Sequence, residues 1–291
     1  MSWDRHEVGG RPLYVWAPGD RSRSYPAVYV LHAHMRSAPW WFNVEPFEVS
    51  YPDRIEELAP RAVVALVDGW TELGGGQWVG PLGSYLRDEV VPFVDGAYPT
   101  NGLRGLQGKS SGGYGAIVHA LERPDLFHAV AAHAPDALFE VTVAHGFPAA
   151  ARALRDSSLA EFWASFAGLR SREDALLVEL AAAANAFGDG TLPFDARGRV
   201  DEAAFARWLE HDPVRLVPQH AGAASGLRGV WLDAGRRDEY FLDLGAEALR
   251  DALVAAGLPD ERLRFELVEG GHGGMSDRYP LSLAWLVERL E

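Results

Sequence analysis

Gly105-Leu106-Gln107-Gly108-Lys109-Ser110-Ser111-Gly112-Gly113-Tyr114-Gly115 is fed by a short apolar run and left by a helix-like one, Ala116-Ile117-Val118-His119-Ala120-Leu121. Within it, Gly108-Lys109-Ser110-Ser111-Gly112 reads as G-x-S-x-G, the pattern of a nucleophile elbow. In such an elbow a strand turns so sharply into a helix that the central serine is held in a strained backbone conformation with its Oγ exposed. The flanking glycines are needed because a Cβ there would collide with the neighbouring strand or helix. The N-terminus of the helix adds free N–H groups and a partial positive charge, both of which favour an oxyanion. Two rival readings exist. A glycine-rich turn without chemistry is the plain one. A P-loop would need glycine at position 103, and Leu103 stands there. The elbow therefore depends on whether the rest of the chain supplies a base, an acid and an oxyanion hole in the right order.

At 291 residues the chain suits one large α/β domain at least as well as two small ones. Its net charge is −14, with 41 acidic against 27 basic residues. A surface of that sign repels phosphodiester backbones and anionic headgroups, so neither nucleic acid nor a membrane surface is an expected partner. There is no cysteine, which excludes a disulfide scaffold, a thiolate nucleophile and any metal site built on Cys. The segment Met1-Ser2-Trp3-Asp4-Arg5-His6-Glu7 has no apolar leader-like run, and no run approaches membrane-spanning length, so a soluble cytoplasmic protein is expected. The 10 tryptophans point to aromatic-lined pockets or a heavy core.

Residues 5–18, punctuated by Gly9-Gly10 and Pro18-Gly19, suggest an opening antiparallel hairpin. Buried strands are expected at 27–31, 62–67, 129–134, 230–234 and 264–268, beside the elbow strand. Helices are expected at 82–98, broken at Pro92, and at 245–256 and 281–290, with a short one at 55–58. Strands alternating with helices predict an α/β fold whose mostly parallel central sheet is covered on both faces. Residues 1–135 and 227–291 form its core in this reading. Residues 136–226 have no strand-like run, carry helical runs at 176–184 and 203–209, and include Phe162, Trp163, Phe187 and Trp208. They read as an inserted helical cap that roofs the site, or as a helical layer without substrate contact.

The acid should follow a strand after the elbow, and the histidine a later strand. Strand 230–234 runs into Gly235-Arg236-Arg237-Asp238-Glu239-Tyr240, and strand 264–268 into Glu269-Gly270-Gly271-His272-Gly273-Gly274. The order Ser110, Asp238, His272 is that of α/β-hydrolases. His272 would take the Ser110 proton and return it to the leaving group, while Asp238 holds the imidazole tautomer. Asp233 and Glu239 compete for the acid role; Asp233 lies inside its strand, and Glu239 could substitute for the preferred Asp238. The oxyanion hole should combine the backbone N–H of Ser111 with that of His34, in the turn His32-Ala33-His34-Met35. A metal reading of His32-x-His34 lacks the further ligands at set spacings. His119, His128 and His133 are better explained by packing or solvent contact. Trp40, Trp41, Phe42, Trp70 and Trp78 lie on loops leaving the same sheet edge, so some should line the substrate pocket.

With these residues placed, the chain resembles the esterase D group of α/β-hydrolases, the broad "putative esterase" family. The resemblance covers most of the chain: Leu31-His32-Ala33-His34, Asp68-Gly69, Glu89 to Asp95, the elbow with its trailing Gly-Gly-Tyr-Gly, Arg123 to Phe127, Gly235 to Tyr240, and Gly271-His272. It implies serine hydrolase chemistry on carboxylic esters, with no metal and no organic cofactor. Ala33 replaces the common glycine of the oxyanion turn, and Ser111 a bulkier residue often found after the nucleophile. The expected function is a serine carboxylester hydrolase acting on a small-molecule ester. Acyltransferase, thioesterase or lactonase activity is the alternative on the same machinery, and a non-catalytic binding or scaffolding protein the alternative from another class. A homo-oligomer is left open.

Overall fold

The computed structural model describes residues 3–43 and 49–291. Met1 and Ser2, part of the segment read for a leader, lie outside them. Eight strands form one sheet: β1 (Asp4–Val8), β2 (Arg11–Trp16), β3 (Tyr25–Leu31), β4 (Val63–Val67), β5 (Thr100–Lys109), β6 (Ala129–His133), β7 (Gly229–Gly235) and β8 (Leu263–Val268). Their order is β1-β2-β4-β3-β5-β6-β7-β8. The β1–β2 hairpin turns on Gly9 and Gly10, both at positive φ, and β2 pairs antiparallel with β4. From β4 to β8 every pairing is parallel.

The strands show why continuous apolar runs were needed. Ala27, Tyr29 and Leu31 of β3 enter the core on one face, with Val63, Ala65 and Val67 of β4. Val28, Val30, Val64 and Leu66 enter the core on the other. Period-2 alternation thus carries apolar side chains to both faces, the signature of a sheet with helices on each side. Helices Tyr51–Leu58 and Arg278–Leu290 cover the second face through Tyr51, Ile55, Leu283 and Leu286. The elbow helix Ser111–Glu122 and helix Leu242–Ala255 cover the first, through Ile117, Leu121, Leu249 and Leu253.

The break expected at Pro92 takes another form. Helical backbone runs from Pro81 to Ala97, and the turn Tyr85–Val90 widens to π geometry, with the Val91 N–H donating to Leu86 O. Pro92 then falls in the first turn of Val91–Ala97, where its missing N–H leaves no bond unmade.

The regular elements of residues 136–226 are all helical, including Arg172–Phe187 and Glu202–Leu209, joined by loops that hold one isolated bridge between Phe194 and Val200. They carry most of a third core of their own, built on Phe139, Phe147, Phe187, Phe205 and Trp208 around Tyr114 of the elbow helix. The last two helices, Pro213–Gln219 and Ala221–Gly226, pack against the elbow helix and Leu242–Ala255. No helix among the described residues is long and apolar enough to cross a membrane.

Candidate active site

Ser110 stands between β5 and the elbow helix at φ 55°, ψ −123°. A side-chain-bearing residue in that region costs on the order of 1–3 kcal/mol and must be held by its surroundings. Its N–H donates to His133 O at 2.9 Å, and its carbonyl accepts the Tyr114 N–H at 2.8 Å. The turn is tight enough that a Cβ on Gly108 would lie 2.2 Å from Gly112 O.

Asp238 and His272 arrive from loops after β7 and β8. Asp238 Oδ2 accepts from His272 Nδ1 at 2.8 Å, and Asp238 Oδ1 from the Tyr240 N–H at 2.9 Å. Burial is the strongest single influence on the Asp238 carboxyl and raises it, but the His272 bond and charge, the Tyr240 N–H and Lys109 together outweigh it and hold the group below its ordinary value. With Nδ1 donating to the carboxylate, a neutral ring presents Nε2 as acceptor. Glu239, the other candidate acid, fixes the histidine loop instead, its Oε2 accepting the backbone N–H of His272 at 2.7 Å. The Tyr240 ring meets the imidazole edge-on at a 5.0 Å centroid distance.

Asp233 belongs to a separate constellation. His133 Nδ1 donates to Asp233 at 2.7 Å, and His133 Nε2 lies 2.8 Å from Ser282 Oγ. The residue types are those of a triad, yet all three are fully buried and Asp233 also receives Trp231 Nε1 and Arg278 Nε. No substrate reaches this serine; it ties helix Arg278–Leu290 to the sheet.

The Ser110 hydroxyl donates to Asp136 Oδ1 at 3.3 Å, and His272 Nε2 lies 3.2 Å from Lys109 Nζ, which also donates to His272 O at 2.6 Å. Burial pushes the Lys109 ammonium down to about 8, against the pull of Asp238 and Asp136. Burial pushes Asp136 up to about 6, although His272, Gln77 and Ser110 favour its charge. Neither residue was singled out from the sequence for a role, because a residue before the serine and one after β6 carry no pattern.

The Asp136 shift makes a stability statement. Its folded value of about 6 exceeds the 3.8 of an unfolded chain, so ionising it costs the folded protein. The stability is whole below pH 3.8 and is lost as pH rises through about 6. Asp136→Asn is expected to raise stability at pH 8 by roughly 2–3 kcal/mol and to change little near pH 4. Melting curves of both proteins across that range check this; equal curves at pH 8 would refute it.

In the turn after β3, His34 Nε2 donates to Leu73 O at 3.0 Å, and burial holds the ring neutral, its pKa pushed down to about 4. The next amide, Met35, is spent on Gly74 O at 2.6 Å. Among the described residues the backbone N–H groups of His34 and Ser111 have no hydrogen-bond partner. His32 uses both ring nitrogens: Nε2 accepts the Gly69 N–H and Nδ1 donates to Ala33 O, each at 2.8 Å. Its carbonyl accepts from Trp78 Nε1 at 3.0 Å, and the Trp78 carbonyl accepts from His119 Nε2 at 2.7 Å.

Those bonds correct part of the pocket expectation. Trp78 is buried under the turn after β3 and the elbow helix, bracing both; Trp41 is buried among Tyr51 and Tyr279. Trp70 is half exposed and lines no part of the cavity. Of the four tryptophans expected there, Trp40 alone lines it, with the Arg36 guanidinium over its ring. The cavity, about 290 Å³, is lined in part by Ser110, His272, Asp136 and Lys109. Helix Arg172–Phe187 contributes Leu176, Glu179, Leu180, Ala183 and Phe187 to its wall, so the inserted region does border the site.

The fold is that of known α/β-hydrolases. A ferulic acid esterase matches with a TM-score of 0.62 at 18% identity, over 100% of this chain and 98% of that chain. An S-formylglutathione hydrolase from Staphylococcus aureus matches with a TM-score of 0.58 at 15% identity, over 100% and 99%. MPT51 of Mycobacterium tuberculosis matches with a TM-score of 0.62 at 15% identity, over 100% of both chains. At such identities the likeness is one of fold. The sequence pattern of the family described as "Putative esterase" extends over residues 11–285, and with an elbow serine and His272, bonded to the buried Asp238, lining one cavity, this chain belongs to that esterase family.

Proposed function

We propose that the chain is a serine carboxylester hydrolase working through an acyl-enzyme on Ser110. The observation that carries this is the common cavity: the strained elbow serine opens into the same space as His272, whose Nδ1 is held 2.8 Å from the buried Asp238. When an ester carbonyl enters, the Ser110 hydroxyl turns from Asp136 to His272 Nε2, which takes the proton as Oγ bonds to the carbonyl carbon. The oxyanion is met by the free N–H groups of His34 and Ser111. Collapse returns the proton from His272 to the leaving alkoxide, and water repeats the cycle to release the acid. Lys109 withdraws from Nε2 as the serine approaches while keeping its bond to His272 O, so the histidine loop stays placed. An alcohol in place of water would make the same site a transferase.

The test is a p-nitrophenyl ester series from acetate to octanoate, together with a fluorophosphonate probe whose adduct is located by mass spectrometry. Hydrolysis with the adduct on Ser110 is expected. A protein that neither turns over any member nor takes the probe is a binding protein of this fold.

A further inference from the structure

The cavity holds one carboxyl that nothing in the protein answers. Glu179 lines it from helix Arg172–Phe187, half-buried, with no hydrogen bond or ion pair among the described residues. Its surroundings are Phe139, Leu180, Ala183 and Phe187, and the charge it feels most is another carboxylate, Asp136. Gln77 borders the same space, 4% exposed, and its Oε1 is buried without a partner. The basic side chains nearby are engaged. Lys109 is bonded to His272; Arg36 is exposed at the rim, donating to Met35 O; His145 is bonded to Val141 O. Asp136 thus takes the Ser110 hydroxyl and feels the Lys109 charge, whereas Glu179 and Gln77 Oε1, which line the same cavity, have no partner among the described residues.

Resting on the esterase reading, we propose that this part of the cavity is a subsite for a primary ammonium group carried close to the scissile carbonyl, as in an aminoacyl ester. Glu179 and Asp136 are its counter-charges and Gln77 Oε1 a further acceptor. A primary ammonium offers three N–H donors for Glu179, Asp136 and Gln77 Oε1 and a positive charge that favours the ionised form of Glu179. A polyol would bring donors without the charge, and a quaternary ammonium the charge without donors. Burial and Asp136 push Glu179 up to about 8, so the empty site favours its neutral form at pH 7, and an arriving cation restores the carboxylate. The same cation competes with Ser110 for Asp136. Binding therefore releases the hydroxyl, now 3.3 Å from Oδ1, toward His272.

The experiment compares kcat/KM for the p-nitrophenyl esters of L-alanine, propionate and N-acetyl-L-alanine at pH 6.5, corrected for spontaneous hydrolysis. The alanine ester is expected to be preferred over propionate at least about tenfold, the N-acetyl ester to lose that preference, and Glu179→Gln to lower the alanine-to-propionate ratio by about the same factor. A ratio near one, or a preference that Glu179→Gln leaves intact, overturns the subsite. Calorimetric binding of L-alanine methyl ester against methyl propionate to Ser110→Ala decides the subsite without turnover. If no ester is cleaved and the probe does not label Ser110, the esterase reading falls, and the calorimetric comparison alone upholds or overturns the subsite. If propionate is cleaved but neither arm favours the amine, the subsite falls and the esterase stands.

Discussion

Ser110→Ala is expected to lower kcat on p-nitrophenyl esters by about 10⁵-fold, roughly 7 kcal/mol of barrier, with KM changed by no more than about threefold. On the esterase reading the Ser110 hydroxyl, held by the strained elbow backbone, is the group that bonds to the carbonyl carbon. Alanine at φ 55° meets the same strain as serine, so the fold should survive and the loss should be chemical. The residual rate would come from the oxyanion amides and from binding. Asp238→Asn in the same assay is expected to lose about 10⁴-fold, because the amide can present N–H to Nδ1 and favour the wrong tautomer. Steady-state kinetics with active-site titration read both. A Ser110→Ala protein retaining activity within about tenfold of wild type would move the nucleophile elsewhere.

Gly112→Ala is expected to be among the most damaging small substitutions for the fold. A Cβ there would stand 2.2 Å from Leu31 O and 2.7 Å from His32 O. Both contacts are backbone, at the end of β3 and the start of the turn after it, so no flexible side chain can yield. Either the elbow helix lifts from the sheet or β3 shifts, and both disturb a buried core. The cost is on the order of 4 kcal/mol, a Tm lower by roughly 10 °C for a domain of this size. Activity should fall as well, since the move separates the His34 amide from Ser111. Thermal unfolding with ester hydrolysis of the surviving folded fraction checks this. A variant with wild-type Tm would mean that the elbow packs more loosely than these distances describe.

The fold and the placement of Ser110, Asp238 and His272 at one sheet edge were legible because their causes are local. Continuous apolar runs announce strands buried on both faces, glycines around Ser110 announce a turn that tolerates no Cβ, and Asp238 and His272 each lie a few residues beyond a strand end. A parallel sheet brings all such ends to one edge, so chain order was enough to expect them together.

What the sequence by itself determined was therefore the elbow, the strand ends and the family. Tertiary structure alone decided that Asp136 faces Ser110, that Lys109 reaches His272 across 163 positions, and that Trp78 braces the elbow instead of lining the cavity. It also separated the buried Ser282-His133-Asp233 cluster from the accessible site, and it put Glu179 and Ser110 on the wall of one cavity. Motif spacing reports local backbone geometry. Burial, proximity of unlike segments and an unanswered charge arise only when distant parts of the chain pack together, and these are what shape the substrate chamber.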